Sequence, residues 1–160
     1  MAIYCTFVLN GLPSSVLDCD GVAKLPAFSG QKHGRNNDTM TGVPDIGPLP
    51  KGRYYIVGRE SGGFLSKLRH FFLKYGYGTD RSEWFALYRD DGTIDDHTFI
   101  DGVKRGNFRL HPIGPLGLSE GCITLNHIGD FDYLRKKLLS TMMINVPGTS
   151  LKAYGIVEVR

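Results

Sequence analysis

The stretch "NFRLHPIGPLGLSEGCITLN", residues 107–126, places two short strands on either side of a loop rich in glycine and proline. Apolar and polar residues alternate before the loop, as they do in a half-buried strand. Phe108 and Leu110 share one face, so Arg109 and His111 point to the opposite face. The segment before the loop therefore predicts a strand that ends on a histidine facing away from the core.

The strand after the loop follows the same alternation. Ile123 and Leu125 share the core face, so Cys122 and Thr124 point away from it. If the two strands are neighbours, His111 and Cys122 can come within hydrogen-bond reach. An imidazole beside a thiol can accept its proton and produce a nucleophilic thiolate. The pattern thus predicts a cysteine–histidine pair for acyl chemistry.

Two further residues of the loop fit this chemistry. Gly121 lacks a side chain, so the backbone N–H groups of Gly121 and Cys122 can approach a reacting carbonyl and hold its developing negative charge. Ser119 is placed to orient either the imidazole or the loop. Two other interpretations stay open: Cys122 is a buried, inert cysteine, or Cys122, His111 and His127 bind zinc. His127 precedes a predicted helix, which favours a structural or capping histidine.

The rest of the sequence predicts a single domain over residues 1–160 that is mainly β, a sandwich or an open barrel with two short helices. The helices are expected at "FLSKLRHFFLKY" (64–75) and "GDFDYLRKKLLS" (129–140), the second with Asp130 as its cap. Residues 29–52 are polar and rich in glycine and proline, a composition typical of a lid or binding loop.

The N-terminal strand and its turn decide the expected state of two cysteines. The dipeptide Asn10-Gly11 is a good two-residue hairpin turn, and it would place Cys5 opposite Val16. Cys19 would then lie roughly 10 Å further along the strand, beyond the reach of a disulfide. We therefore expect Cys5 and Cys19 to be unpaired.

Composition excludes several classes of function. The net charge is only +3 and the chain carries no dense basic stripe, which argues against nucleic-acid binding. No apolar run approaches the length of a membrane span, so membrane insertion is not expected. The start, "MAIYCTFVLNGLP", lacks the marks of a cleaved signal peptide. We expect a protein made in the cytoplasm without a leader, with no cofactor and no metal.

Several motifs together resemble a known family. "FRLHP" followed by "SEGCITL" resembles the L,D-transpeptidase catalytic motif, a histidine followed by Ser-x-Gly-Cys. "LPAFSGQ", "VPDIGPLPKGRYYIV", "WFALYRDDGTIDD" and "DGVKRGNFRLHP" are similar to the type VI secreted L,D-transpeptidase effectors of Gram-negative bacteria. This resemblance covers residues 25–126. It implies a β-rich transpeptidase fold in which Cys122 is the nucleophile, His111 is the base, and Ser119 and Gly121 complete the motif.

The resemblance also implies a substrate and a place of action. Such effectors enter the periplasm of a competing bacterium and cut peptidoglycan stem tetrapeptides between meso-diaminopimelate and D-alanine through a thioester. Water then yields a tripeptide, and a free D-amino acid yields an exchanged tetrapeptide. The implied partners are wall stem peptides, D-amino acids, a cognate immunity protein and components of the type VI secretion machine.

The sequence departs from the housekeeping transpeptidase pattern at two positions that flank the cysteine. Glu120 replaces a histidine and Thr124 replaces an arginine that normally holds substrate. We assign Glu120 and Thr124 to the substrate side and expect Arg109 to supply the missing anion contact. Carboxypeptidase or exchange chemistry is favoured over 3-3 cross-linking. Two alternatives remain: a non-catalytic module that binds wall peptide, and a cytoplasmic cysteine amidase with another acyl substrate.

Overall fold

The computed structural model describes residues 1–58 and 83–160. Within these two ranges the chain forms eleven strands, one α-helix and two short 3-10 helices, at Lys32–Gly34 and Asp38–Met40. The helix expected at 64–75 lies outside the described residues. Of the helices in the described ranges, none has both the length and the apolar character needed to cross a membrane.

The strands follow one another along the chain with a single α-helix near the end. They are β1 (Ile3–Phe7), β2 (Ser15–Cys19), β3 (Ala23–Phe28), β4 (Gly52–Val57), β5 (Phe85–Arg89), β6 (His97–Ile100), β7 (Val103–Gly106), β8 (Arg109–Pro112), β9 (Ile123–Leu125), β10 (Ile144–Asn145) and β11 (Lys152–Val159). Helix α1 (Ile128–Ser140) lies between β9 and β10.

Eight strands form a barrel. Their order is β1-β2-β3-β9-β8-β5-β4-β11, and β11 pairs with β1 to complete the ring. The pairs β1–β11 and β8–β9 are parallel, whereas the other neighbours in the ring are antiparallel. Strand β10 adds to β11, while β6 and β7 form a separate hairpin. The expected mainly β fold class is confirmed, in its barrel form.

The barrel buries the apolar face that alternation predicts. In β1 the side chains of Ile3, Cys5 and Phe7 are buried, whereas Tyr4 is exposed. The same core cluster takes in residues of the strands that carry the candidate site, among them Leu110 and Ile123. Burial of such aliphatic side chains contributes roughly 1.5–3 kcal/mol each, so the site strands are anchored by the core.

Helix α1 covers the barrel behind the candidate site. Phe131, Leu134 and Leu138 are its buried residues, and their spacing places them on one face that packs against β8, β9 and β11. The expected helix is present, but the assignment of Asp130 as its cap is wrong. The cap position is His127, whose side chain makes no capping bond, and Asp130 lies in the first turn, where its charge complements the helix dipole.

A disulfide joins Cys5 to Cys19, so the expectation that these cysteines are unpaired is wrong. In β1 and β2 the two residues lie directly opposite each other. The turn is wider than a dipeptide because Asn10 accepts a hydrogen bond from the N–H of Leu12 at 3.0 Å and donates one to the carbonyl of Ser14 at 3.1 Å. These bonds shift the pairing of the strands and bring the cysteines together.

Removal of this disulfide is expected to lower stability. The bridge closes a loop with a sequence separation of 14, for which loop-closure entropy gives a loss of about 3 kcal/mol in the free energy of unfolding. Urea unfolding of the oxidised protein and of the Cys5→Ala/Cys19→Ala double variant measures the difference. A reductant should destabilise the wild type and leave the double variant unchanged. Equal unfolding midpoints for the two oxidised proteins would contradict this prediction.

The long segment 29–52 is packed against the body of the protein. Buried Ser29 donates its N–H to Asn36 Oδ1 at 2.9 Å, and its hydroxyl accepts the N–H of Leu49 at 2.8 Å. Asn36, also buried, donates to the carbonyl of Leu12 at 2.8 Å. These bonds give the segment a defined path. Its assignment as a lid stays a prediction.

Candidate active site

The candidate site lies on the parallel strands β8 and β9. Their register sets Leu110 beside Ile123 and His111 beside Thr124. Cys122 immediately precedes β9, on the face that alternation assigns to Thr124. Leu110 and Ile123 belong to the core cluster, whereas Cys122 is buried outside it. The predicted division between core and non-core faces therefore matches the structure.

The strand face that carries the candidate site is also shielded from solvent. His111 is 0% exposed and Cys122 is 1% exposed. Burial lowers the pKa of His111 to about 4; the Arg109 cation acts in the same direction, and a hydrogen bond to the Pro112 carbonyl opposes it. Burial raises the pKa of Cys122 to about 12, although Arg109 opposes this shift. At neutral pH the resting site thus holds a neutral thiol and a neutral imidazole.

Hydrogen bonds define the tautomer of His111. Its Nδ1 lies 2.8 Å from the carbonyl oxygen of Pro112. A carbonyl can only accept, so Nδ1 carries the proton and Nε2 keeps the lone pair. The hydroxyl of Thr124 lies 3.3 Å from Nε2 and donates to it. The basic nitrogen of the imidazole is therefore Nε2, and Thr124 helps to fix its direction.

Loss of the Thr124 hydroxyl should slow any reaction that uses His111 as its base. The Thr124→Val variant keeps the shape of the side chain and removes the donor to Nε2. A hydrogen bond of this kind is worth about 1 kcal/mol, so we expect the rate to fall about five- to tenfold, with a melting temperature lowered by only a few degrees. Initial rates and thermal unfolding measured in parallel check this. An unchanged rate would show that Thr124 does not position the imidazole.

Trp84 stacks on His111. The two ring centroids are 4.3 Å apart and the ring planes differ by 18°. Trp84 is itself buried, so the indole shields one face of the imidazole from water and contributes to the burial that keeps His111 neutral. Sequence reasoning missed this residue, because "EWFALY" reads only as the start of a strand. A single tryptophan next to a predicted strand was the one signal available.

Ser119 and Gly121 shape the turn that leads into Cys122. The hydroxyl of Ser119 donates to the carbonyl of Cys122 at 2.9 Å and accepts the N–H of Gly30 at 3.2 Å. Ser119 thus joins the backbone of Cys122 to the long segment. Gly121 has a φ of +103°, a conformation that favours glycine over other residues.

The predicted anion contact, Arg109, already has a partner. Its guanidinium makes two parallel bonds to Asp96, at 2.7 and 2.8 Å, and its side chain is buried. A substrate carboxylate would have to compete with Asp96 for this cation. Glu120 is partly buried and raises the pKa of Cys122 by its negative charge. The substrate contacts assigned to Arg109, Thr124 and Glu120 stay predictions.

A metal site is a separate question. In residues 1–58 and 83–160, no group of three or more His, Cys, Asp or Glu side chains is arranged to hold a metal ion. His127, the third ligand of the zinc alternative, is exposed at the start of helix α1, whereas His111 and Cys122 are buried. The expectation that the protein needs no cofactor stays a prediction.

Comparison with known proteins supplies the family. A search of curated proteins found no match. The family model of the Tlde1 domain matches residues 23–149, a range that contains the segment 29–52, both site strands and most of the barrel. Since this match spans well over half of the chain, the protein belongs to the Tlde1 domain family, the family of type VI secretion L,D-transpeptidase effectors.

Proposed function

We propose that the protein is a cysteine-dependent L,D-carboxypeptidase and L,D-transpeptidase that exchanges D-amino acids on peptidoglycan stem tetrapeptides. The observation that carries the proposal is the parallel pairing of β8 and β9, which sets His111 beside Thr124, two residues after Cys122. The fixed tautomer of His111 adds support, because it leaves a basic Nε2. The Tlde1 family supplies the peptidoglycan context.

In the proposed reaction, Cys122 attacks the carbonyl carbon between meso-diaminopimelate and D-alanine. The resting pair is neutral: Nε2 of His111 accepts from Thr124, and the Cys122 thiol donates to the carbonyl of Asn107 at 3.8 Å. Both bonds give way when Nε2 takes the thiol proton as the carbon–sulfur bond forms. The N–H groups of Gly121 and Cys122 donate to the oxyanion. The intermediate collapses, the carbon–nitrogen bond breaks, and the imidazolium returns the proton to the departing amine of D-alanine. A thioester remains on Cys122.

The second half of the reaction releases the acyl group. Water attacks the thioester, His111 accepts its proton, and the thiolate leaves and regains that proton, which gives the tripeptide. A D-amino acid that attacks through its amine gives the exchanged tetrapeptide by the same proton transfers. Both products deprive wall synthesis of intact stem tetrapeptides.

Purified disaccharide tetrapeptide tests the proposal. Incubation with the protein should yield the disaccharide tripeptide and D-alanine, and addition of D-methionine should yield the corresponding exchanged tetrapeptide by mass spectrometry. An unchanged tetrapeptide under both conditions would overturn the proposal. Turnover of small amides without turnover of muropeptides would instead identify a cysteine amidase with another substrate.

We also propose that the protein is made in the cytoplasm, is delivered by a type VI secretion machine, and acts in the periplasm of the target cell, where an immunity protein protects sister cells. The family places the chain in the type VI context. Expression in a test bacterium with an added periplasmic signal should cause lysis. Expression without that signal should not, and equal toxicity from both compartments would contradict this site of action.

A wall-peptide-binding module without turnover is the second candidate. The deep burial of Cys122 and the raised pKa of its thiol favour it, because only the thiolate is nucleophilic. Binding of tetrapeptide without product formation, together with a thiol that iodoacetamide labels no faster than free cysteine, would establish this alternative.

A further inference from the structure

Arg105 on strand β7 is a second buried arginine near the candidate site. It is 3% exposed, and its guanidinium donates to three backbone carbonyls of the long segment: those of Thr41, Gly47 at 3.1 Å and Pro48 at 3.3 Å. In the described ranges no carboxylate lies within ion-pair distance of it. Among the described residues its hydrogen-bond acceptors are neutral carbonyls, and the negative charge of Asp45 acts on it from beyond ion-pair distance. A buried cation held in this way favours a further nearby anion.

The position of this cation is defined by Gly121. A Cβ atom built on Gly121 would lie 2.5 Å from Nη2 of Arg105 and 3.1 Å from Cε1 of Phe108. The guanidinium therefore occupies the space where a side chain at 121 would stand, directly beside the backbone that precedes Cys122. This close approach gives Gly121 a second role besides its positive φ.

The charges around Cys122 show why Arg105 differs from the other cation. Arg109 favours a negative charge on the thiol, while Glu120 and Asp96 disfavour it. The charge of Arg109 is matched by Asp96 at 2.7 Å. Burial lowers the pKa of Arg105, and negative charges on Tyr54, Asp45 and Cys122 raise it. A negative charge on Cys122 thus interacts favourably with a cation that has no carboxylate within ion-pair distance among the residues that the structure describes.

We propose that Arg105 is a positioning residue whose buried charge stabilises the negative charge that forms on Cys122, and that the carbonyls of the segment 29–52 hold this guanidinium in place. The consequence of this interaction for catalysis rests on the proposed function, whereas the interaction between the Arg105 charge and the Cys122 thiol does not. Segment 29–52 thereby has a role at the site, because its backbone carbonyls accept hydrogen bonds from the guanidinium of Arg105.

Alkylation of Cys122 by iodoacetamide tests this proposal without wall peptide. Cys5 and Cys19 are bridged and Cys122 is free, so the incorporated label reports on Cys122. Arg105→Gln should slow alkylation about tenfold or more at each pH, the change that one unit of thiol pKa produces. Arg105→Lys keeps the charge and should give an intermediate rate. Circular dichroism and thermal unfolding verify that each variant is folded at the assay temperature.

Arg35→Gln is the matched control. Arg35 belongs to the same segment and donates to the carbonyl of Gly117 at 3.2 Å, while its guanidinium lies over the ring of Phe28. In the Arg35→Gln variant, Cys122 should be alkylated within about twofold of the wild-type rate, since the substitution removes two contacts of a half-buried side chain and leaves the charge of Arg105 in place. Equal slowing in Arg35→Gln and Arg105→Gln would assign the effect to the integrity of the segment and overturn the proposal.

The remaining outcomes are equally decisive. An unchanged rate in Arg105→Gln overturns the proposal, and so does a faster rate, which would mean that the arginine only excludes reagent. If Arg105→Gln does not fold, Arg105→Met, a neutral side chain that keeps much of the apolar stem, carries the test: it must slow alkylation relative to Arg105→Lys, and equal rates in these two variants overturn the proposal. A slowed alkylation in a protein that turns over no tetrapeptide would support the role of Arg105 and reject the proposed function.

Discussion

Cys122→Ala is expected to abolish conversion of tetrapeptide to tripeptide, with a loss of more than about 10⁴-fold in rate, because no other group can form the thioester. Mass spectrometry of digested peptidoglycan measures the loss, and growth of cells that carry the variant in the periplasm measures toxicity. The substitution removes one sulfur from a buried position, so the variant should remain folded. Tripeptide formation by Cys122→Ala would show that another residue is the nucleophile.

The disulfide provides the control for this experiment. The double variant Cys5→Ala/Cys19→Ala removes the other two cysteines of the chain and keeps Cys122. At a temperature below its lowered melting point it should trim tetrapeptide at the wild-type rate. A double variant that is folded and inactive would show that activity requires the disulfide as well as the free thiol.

His111→Asn is expected to lower the rate about 10²- to 10⁴-fold, the range that a general base supplies. Asparagine can still donate to the carbonyl of Pro112 in place of Nδ1, which lies 2.8 Å from it, but it offers no basic nitrogen at the position of Nε2. Initial rates with the tetrapeptide measure the effect. Retention of more than a tenth of the activity would remove His111 from the role of base.

The same substitution should change acid stability. The pKa of His111 is lowered to about 4 in the folded protein and stands near 6.5 in the unfolded chain, so the unfolded state binds the additional proton between these values. The free energy of unfolding should fall by roughly 3 kcal/mol as pH drops from 6.5 to about 4. His111→Asn should lack this component. Identical pH dependence of urea unfolding in both proteins would contradict the assignment.

Local periodicity accounts for what the sequence could predict. Alternation identified the buried face of β1 and the core residues Leu110 and Ile123, and the helix expected at 129–140 is present as α1. These patterns depend on neighbours along the chain, which a sequence displays directly. The placement of His111 and Cys122 on one face followed from the same rule.

What the sequence could not supply depends on distant contacts or on turn geometry. The register of β1 and β2 is set by two side-chain bonds of Asn10, and no periodic pattern reports it. Trp84 reaches His111, and Arg105 reaches Gly121, only after the chain has folded. The cap of α1 was misplaced because Asp130 and His127 lie within one turn of each other, and helix boundaries are the least determined part of such a prediction.

The parallel pairing of β8 and β9 explains the interval between the histidine and the cysteine. Parallel strands run in the same direction, so the chain that leaves Pro112 must travel back along the whole pair before it enters β9 at Ile123. Such a return takes about a dozen residues, and residues 113–122 are close to that minimum. The spacing therefore reflects a path length, and a much shorter connection would favour an antiparallel second strand.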